Sequence, residues 1–191
     1  MLKVIKISVL VIILVCILQA AYTLVITGIA QIIFPYQANG SLLYVDGELV
    51  GSELIGQKFE SLGYFHGRPS GRHYDTEDSG GSNLGPTSAK LMEQVKERIE
   101  KVRKENGLAP DAMVPPDLVL TSGSGIDPHI SPESAFLQVD RVAKARNLTE
   151  TEVRALVGKY VEQPQFGVLG ATKVNVLKLN IALDELAKKT K

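Results

Sequence analysis

Ile7–Phe34, "ISVLVIILVCILQAAYTLVITGIAQIIF", contains no charged residue, and the charge-free run continues to Val45, between Lys6 and Asp46. A helix needs about 20 apolar residues, at about 1.5 Å each, to cross a hydrocarbon core of about 30 Å. The stretch exceeds that, which leaves room for tilt. A cleaved signal peptide would carry an apolar region of about 7–15 residues ending at a small-residue site. Here the run is far longer and "QAAY" falls in its middle. Cys16 follows Val15, where a lipid-modified cysteine would follow a small residue. The stretch is therefore expected to be an uncleaved anchor, with residues 1–6 before it and residues 35–191 forming one domain after it.

The flanks set the expected orientation. Lys3 and Lys6 precede the anchor, and the next basic residue is Lys58. Positive charge stays on the cytoplasmic side, so the N-terminus is expected inside and the domain outside a bacterial inner membrane, in single-pass topology. Net charge is +0 and no Lys/Arg run occurs, which argues against nucleic-acid binding. Cys16, inside the span, is the only cysteine, so the outer domain relies on its core and not on disulfides. Gln19, Thr23, Thr27 and Gln31 recur every four residues, close to one face of a helix. Uncharged polar groups in lipid favour contact with other helices, so this stripe is expected to face a membrane partner.

The outer domain reads as α+β, with about four helices and a small sheet. "SLLYVDGELVGS", Ser41–Ser52, predicts a hairpin turning at Asp46-Gly47, because a type I′ turn needs positive φ at both positions. Ser70–Ser88 is long, polar and glycine-rich and reads as a loop. Leu91, Val95, Ile99 and Val102 mark a helix capped by Thr87 or Ser88 and ended by Asn106-Gly107. "MVPPDLVLTS" reads as a strand or extended edge. Ser131, Pro132 and Glu133 have the chemistry of a helix start, with Phe136, Val139, Val142 and Ala143 continuing its apolar face. Thr149 and Glu152 form a capping box for the next helix. Asn175 caps a last helix whose apolar face is Val176, Leu179, Leu183 and Leu186.

The stretch "TSGSGIDPHISPESA", Thr121–Ala135, gathers the residues closest to catalytic chemistry. No G-x-S-x-G elbow precedes a helix, and Asp127 and His129 lie only two residues apart on a proline-constrained loop. They supply two of the three or four ligands that zinc wants, with His66 and His73 the only other histidines. No phosphate-loop motif is present. The residues themselves thus point to an accessory or binding module. A membrane-anchored extracytoplasmic hydrolase using Asp127, His129 and a nearby serine is the alternative.

Seven stretches in order carry a resemblance: "FPYQANGSL", "GSELIGQKF", "GYFHGRPS", "SGGSNLGPTS", "VPPDLVLTSGSGIDPHISPESA", "QVDRVAKARNL" and "VNVLKLNIALD". Together they resemble the C subunits of the bacterial Kdp potassium-importing P-type ATPases, from the anchor to near Leu186. "GRHYDTED" and "KERIEKVRKEN" match least. The resemblance implies an accessory subunit that assembles or stabilises the complex and assists ATP use by the ATPase subunit. The implied partners are a potassium-conducting channel-like subunit, the P-type ATPase subunit, a very small single-span subunit and the lipid bilayer. ATP and potassium would be handled by those other chains, leaving this one no cofactor and no catalytic residue of its own. P-type ATPases bind ATP in the cytoplasm, so an effect on ATP use from an outer domain would pass through the membrane helices. Within the matching stretches Arg68, Ser82, Asn83, Asp127, His129, Arg141 and Asn175 are expected to shape loops or subunit contacts.

Overall fold

The computed structural model describes residues 1–189. They divide into two compact units, Met1–Ser52 and a second that begins at Glu53. The architecture is mixed α and β, with one long N-terminal helix.

The first unit begins with α1, Leu2–Ile33, whose 32 residues include none that is buried. At about 1.5 Å per residue it measures roughly 48 Å, longer than a hydrocarbon core of about 30 Å. Its length and composition suit a membrane span. Phe34 leaves helical geometry at ψ 54°, and Pro35 then opens a single further turn, α2, Pro35–Ala38. Proline suits a first helical position because its missing N–H would be unpaired there anyway. The hairpin follows as β1, Leu42–Val45, and β2, Glu48–Ser52. Asp46 and Gly47 both have positive φ, 52° and 85°, as the sequence predicts for a two-residue type I′ turn. The register slips between Leu43 and Tyr44, where a bulge adds a residue to β2.

The second unit holds α3 (Ala89–Glu105), α4 (Pro132–Leu137), α5 (Val139–Arg146), α6 (Glu150–Lys159) and α7 (Val176–Lys189). Its sheet comprises β3 (His129–Ile130), β4 (Val161–Glu162) and β5 (Lys173–Asn175), in the order β3–β5–β4, antiparallel throughout. The core is built from Phe65, Ile130, Ala135, Val139, Val142, Val153, Val157, Val174, Leu179 and Leu183. Full burial of such side chains stabilises by roughly 1.5–3 kcal/mol each before entropy is counted. The α3 stripe of Leu91, Val95, Ile99 and Val102 is only half-buried, so α3 lies at the margin of this core.

The caps follow the sequence. Ser88 accepts from the Leu91 N–H, and Gly107, at φ 63°, lets Leu108 donate back to the Arg103 carbonyl, closing α3. Thr149 and Glu152 form the reciprocal capping box of α6. The Asn175 carboxamide accepts from the Lys178 N–H at 3.1 Å. Of the predicted α7 face, Leu179 and Leu183 are fully buried and Leu186 half-buried.

Two expectations are corrected. "MVPPDLVLTS" forms no strand; Pro116–Leu118 is a turn of 3-10 helix. Two consecutive prolines remove the N–H donors a ladder needs, and Asp117 turns inward to bind the α4 start. The helix after Ser131 is also two helices. Gln138 interrupts it, with its N–H on the Ala135 carbonyl in place of a four-residue bond. The Gln138 side chain is 1% exposed and bound inside the domain, which fixes the break.

Candidate functional site

The segment Leu62–Arg68 has no regular structure, yet its backbone is bound by side chains. The Asn180 carboxamide accepts from the Phe65 N–H at 2.8 Å and donates to the Phe65 carbonyl at 3.0 Å. Gln138 treats His66 the same way, accepting from its N–H at 2.8 Å and donating to its carbonyl at 3.1 Å. Arg141 donates to the carbonyls of Leu62 and Tyr64, and Arg146 to that of Gly63 at 2.7 Å. The Tyr74 hydroxyl donates to the Arg68 carbonyl. Side chains of α5, α7 and the α4–α5 break thus replace the neighbouring strands this segment lacks, which meets the requirement that buried backbone groups be paired.

Arg141 is the most buried cation among the described residues, 5% exposed. Besides the two carbonyls it donates to Asn106 Oδ1 at 3.0 Å and Gln138 Oε1 at 2.6 Å. Its charge is held by these four neutral oxygens, with the Glu105 carboxylate acting from farther away. Burial pushes its guanidinium down to about 10, which leaves it charged at neutral pH.

Arg68 projects from the end of this segment to the loop that carries Thr121 and Asp127. Its Nη1 lies 3.2 Å from Asp127 Oδ2, and its Nη2 donates to the Thr121 carbonyl at 3.3 Å. Asp127 Oδ1 accepts from the His129 N–H at 3.0 Å and lies 3.4 Å from His129 Nδ1. Burial raises the Asp127 carboxyl, but the hydrogen bonds from His129 and the Arg68 charge outweigh it, leaving the group below its usual range. The Thr121 hydroxyl donates to Ser82 Oγ at 3.4 Å, tying the 70–88 loop to the same place. Asn175 faces His129 in the sheet register, and its Nδ2 donates to the Glu53 carbonyl at 2.7 Å. The backbone packs as closely: a Cβ on Gly56 would lie 2.5 Å from the Asp127 carbonyl oxygen, and one on Gly125 2.5 Å from that of Gly80.

Of the sequence-predicted residues, Arg68, Ser82, Asp127, His129 and Asn175 therefore come together. Arg141 lies in the separate cluster around Leu62–His66. Asn83 is exposed, in left-handed backbone at φ 54°. In the first unit, Thr23 donates to the Gln19 carbonyl at 2.9 Å, and the Gln31 and Asn39 carboxamides exchange bonds of 3.4 and 3.2 Å. Gln138, Asn180 and Arg146 were not singled out from sequence. A lone polar residue inside an apolar helical stripe, as in "FLQVDRV" or "LKLNIAL", is the signal that could have found Gln138 and Asn180; Arg146, in "AKARNL", carries no such signal.

This geometry suits a structural clip. Both oxygens of Asp127 are engaged, and the nearby serines turn elsewhere: the hydroxyls of Ser131 and Ser134 both bond Asp117 Oδ1, and Ser124 Oγ accepts from the Ile126 N–H. The Ser131 N–H also donates to Asp117 Oδ2 at 2.6 Å. No three His, Cys, Asp or Glu side chains cluster as a metal site among the described residues. Arg68 borders two clefts. One of ≈ 220 Å³ is lined by Lys58, His66, His73, Arg98, Lys101 and Glu105 among others, and one of ≈ 400 Å³ by Asp127, His129, Glu133 and Lys173 among others.

A family profile described as "K+-transporting ATPase, c chain" matches residues 4–185. A protein of Rhodopseudomonas palustris strain TIE-1 is 53% identical over 181 residues, covering 87% of this chain and 89% of its own. One from Bradyrhizobium diazoefficiens is 50% identical over 195 residues, covering 95% and 96%. One from Caldanaerobacter subterraneus subsp. tengcongensis is 49% identical over 174 residues, covering 91% and 90%. All three are named potassium-transporting ATPase KdpC subunit.

Proposed function

This chain belongs to the K+-transporting ATPase c-chain family, and on that premise we propose how it serves such a complex as an accessory subunit. It contributes no catalytic residue; ATP and potassium are handled by other chains. Its partners are a P-type ATPase subunit, a potassium-conducting channel-like subunit and a very small single-span subunit. Helix α1 anchors it in the inner membrane with the N-terminus in the cytoplasm, following the positions of Lys3, Lys6 and Lys58. The domain from residue 35 onward lies outside. Assembly or stabilisation of the complex is its task, and any assistance to ATP use passes through the membrane helices. The loops around Arg68, Ser82, Asn83, Asp127, His129, Arg141 and Asn175 hold the outer domain in the shape its partners meet.

The observation that carries this reading is α1. An apolar helix of 32 residues without a buried position must be covered by lipid or by other helices. The engagement of Asp127 by Arg68 and His129 supports a holding role over hydrolysis. A tagged pull-down of the full chain in mild detergent tests it. Co-elution of a P-type ATPase and a channel-like protein is expected, with potassium-stimulated ATPase activity lost when this chain is removed. Elution of this chain alone, as a stable protein, would overturn the reading.

A further inference from the structure

The cleft of ≈ 220 Å³ is lined chiefly by residues 58–74 and by α3. Four cations border it, Lys58, Arg68, Arg98 and Lys101, against two carboxylates, Glu60 and Glu105. Both carboxylates are already matched. Lys58 meets Glu60 at 2.7 Å and Lys101 meets Glu105 at 3.7 Å, with His66 Nδ1 3.6 Å from Glu105. Arg68 pairs with Asp127, which lies outside the lining. Arg98 is the cation left over.

Three groups of this lining have donors to spare. Half-buried Arg98 donates to the Val119 carbonyl at 2.9 Å and makes no ion pair among the described residues. Burial pulls its guanidinium below the ordinary value, and Glu97 opposes this from beyond ion-pair distance. A guanidinium carries five N–H donors, so most of those on Arg98 are open. Arg68 commits its two terminal nitrogens to Asp127 and the Thr121 carbonyl, while its Nε is buried without a hydrogen-bond partner. A buried donor without an acceptor is costly. The His73 ring makes no hydrogen bond or ion pair among the described residues, and it offers an N–H in either charge state.

These features select an anion and its size. Phe59, Val102 and Leu118 supply apolar wall, beside which a cation attracts more strongly than in open water. The volume is below the about 300–1,000 Å³ of clefts that take larger organic ligands, and well above the about 10–15 Å³ that one water needs. The donors come from three stretches of chain, at Lys58, at Arg68 and His73, and at Arg98 and Lys101. A tetrahedral oxyanion accepts from several directions at once, whereas a carboxylate presents one plane.

We propose that this cleft binds one tetrahedral oxyanion of the size of inorganic phosphate, with Arg98 and Arg68 as its main donors and Lys58, His73 and Lys101 completing the shell. The inference does not rest on the accessory-subunit reading. Equilibrium dialysis of the full chain in neutral detergent against radiolabelled inorganic phosphate tests it. One phosphate per chain is expected, with a Kd of about 1 mM or tighter at low salt. Arg98→Gln should weaken binding about ten-fold or more. Arg98 also holds the Val119 carbonyl, so two variants at exposed side chains separate binding from folding. Lys101→Gln should weaken binding about three-fold or more, and Glu60→Gln should tighten it by a similar factor. Tighter binding on loss of a carboxylate cannot come from a damaged fold. Lys96→Gln, on α3 outside the lining, should leave the Kd within about two-fold. Glycerophosphoglycerol, the soluble diester headgroup of an anionic lipid, should compete about ten-fold more weakly than unlabelled phosphate. Binding that does not saturate, displacement by chloride as effective as by phosphate, or a Kd that Glu60→Gln fails to tighten would overturn the proposal. So would stronger competition by the headgroup than by phosphate, which would assign the cleft to lipid.

Discussion

Asn180 and Phe65, on α7 and on a segment without regular structure, are joined by a closed pair of hydrogen bonds of 2.8 and 3.0 Å. The carboxamide does for Phe65 what a neighbouring strand would do. Asn180→Leu keeps the side-chain volume and leaves two buried backbone groups unpaired, at about 1–3 kcal/mol each. The expected loss is about 3 kcal/mol in urea unfolding of the full chain in detergent. Proteolysis within 62–68 should also accelerate. Lys96→Ala, at an exposed position on α3, should stay within about 0.5 kcal/mol of wild type.

Arg141 binds four oxygens with one planar group. Lysine carries a compact ammonium with three donors and cannot reproduce the fork. Arg141→Met should cost about 3–5 kcal/mol, because it strands buried acceptors and empties a filled space. Arg141→Lys should recover only part of that. Thermal unfolding of the full chain, read by circular dichroism, orders the three proteins; equal melting temperatures would contradict this account.

Gly56 and Gly125 sit where backbone meets backbone. A Cβ at either would fall 2.5 Å from a carbonyl oxygen, and Gly125 also has φ 72°. Backbone cannot yield as a flexible side chain does. Gly56→Ala and Gly125→Ala should each destabilise by about 2 kcal/mol. Gly85→Ala, with open space around its Cβ, is the matched control and should be near neutral. The urea midpoint of each variant decides.

Acid should unfold the second unit in two windows. Burial lowers the His66 imidazole below its ordinary value, and the Arg141 charge adds to the effect. Such a histidine binds fewer protons folded than unfolded. Its contribution is full above the unfolded value and is lost as pH falls through that value toward the lowered one. At Asp127 burial acts upward but is outweighed by His129 and Arg68, so the folded value is also lowered. Its contribution is present above the ordinary carboxylate range and is lost as pH falls through the lowered one. Urea midpoints from about pH 8 to about pH 3 should therefore fall twice on acidification. His66→Gln should remove the upper fall and Asp127→Asn the lower.

Local chemistry made much of this fold legible. Asp46-Gly47, Ser88, Ser131, Thr149 with Glu152, and Asn175 each act within four residues of their own position, so their roles could be read from a short window. Arg68 and Asp127 were singled out separately, but their pairing spans 59 residues and no local period encodes it. Gln138 and Asn180 act over 72 and 115 residues. In the sequence they look like interruptions of an apolar stripe. The break at Gln138 has the same origin, since a buried side chain fixed by distant backbone overrides the helical continuity that Phe136, Val139 and Val142 suggest.

The polar stripe of α1 is not uniform, and that sharpens what it should do. Gln31 is engaged with Asn39, so it closes the end of its own helix. The Thr23 hydroxyl bonds the Gln19 carbonyl, an arrangement that satisfies a threonine in lipid without a partner. These internal bonds leave the side chains of Gln19 and Thr27 as the groups best placed to bond a neighbouring helix. Such bonds are worth roughly 0.6–2 kcal/mol each in a membrane. Gln19→Leu with Thr27→Leu should therefore weaken recovery of the complex in mild detergent by about eight-fold or more, taking at least roughly 1.2 kcal/mol as the combined loss. Thr23→Val with Gln31→Leu should leave recovery nearly unchanged. Equal recovery from both pairs would assign the stripe no part in assembly, and a greater loss from the second pair would mean that the internal bonds open when the helix docks.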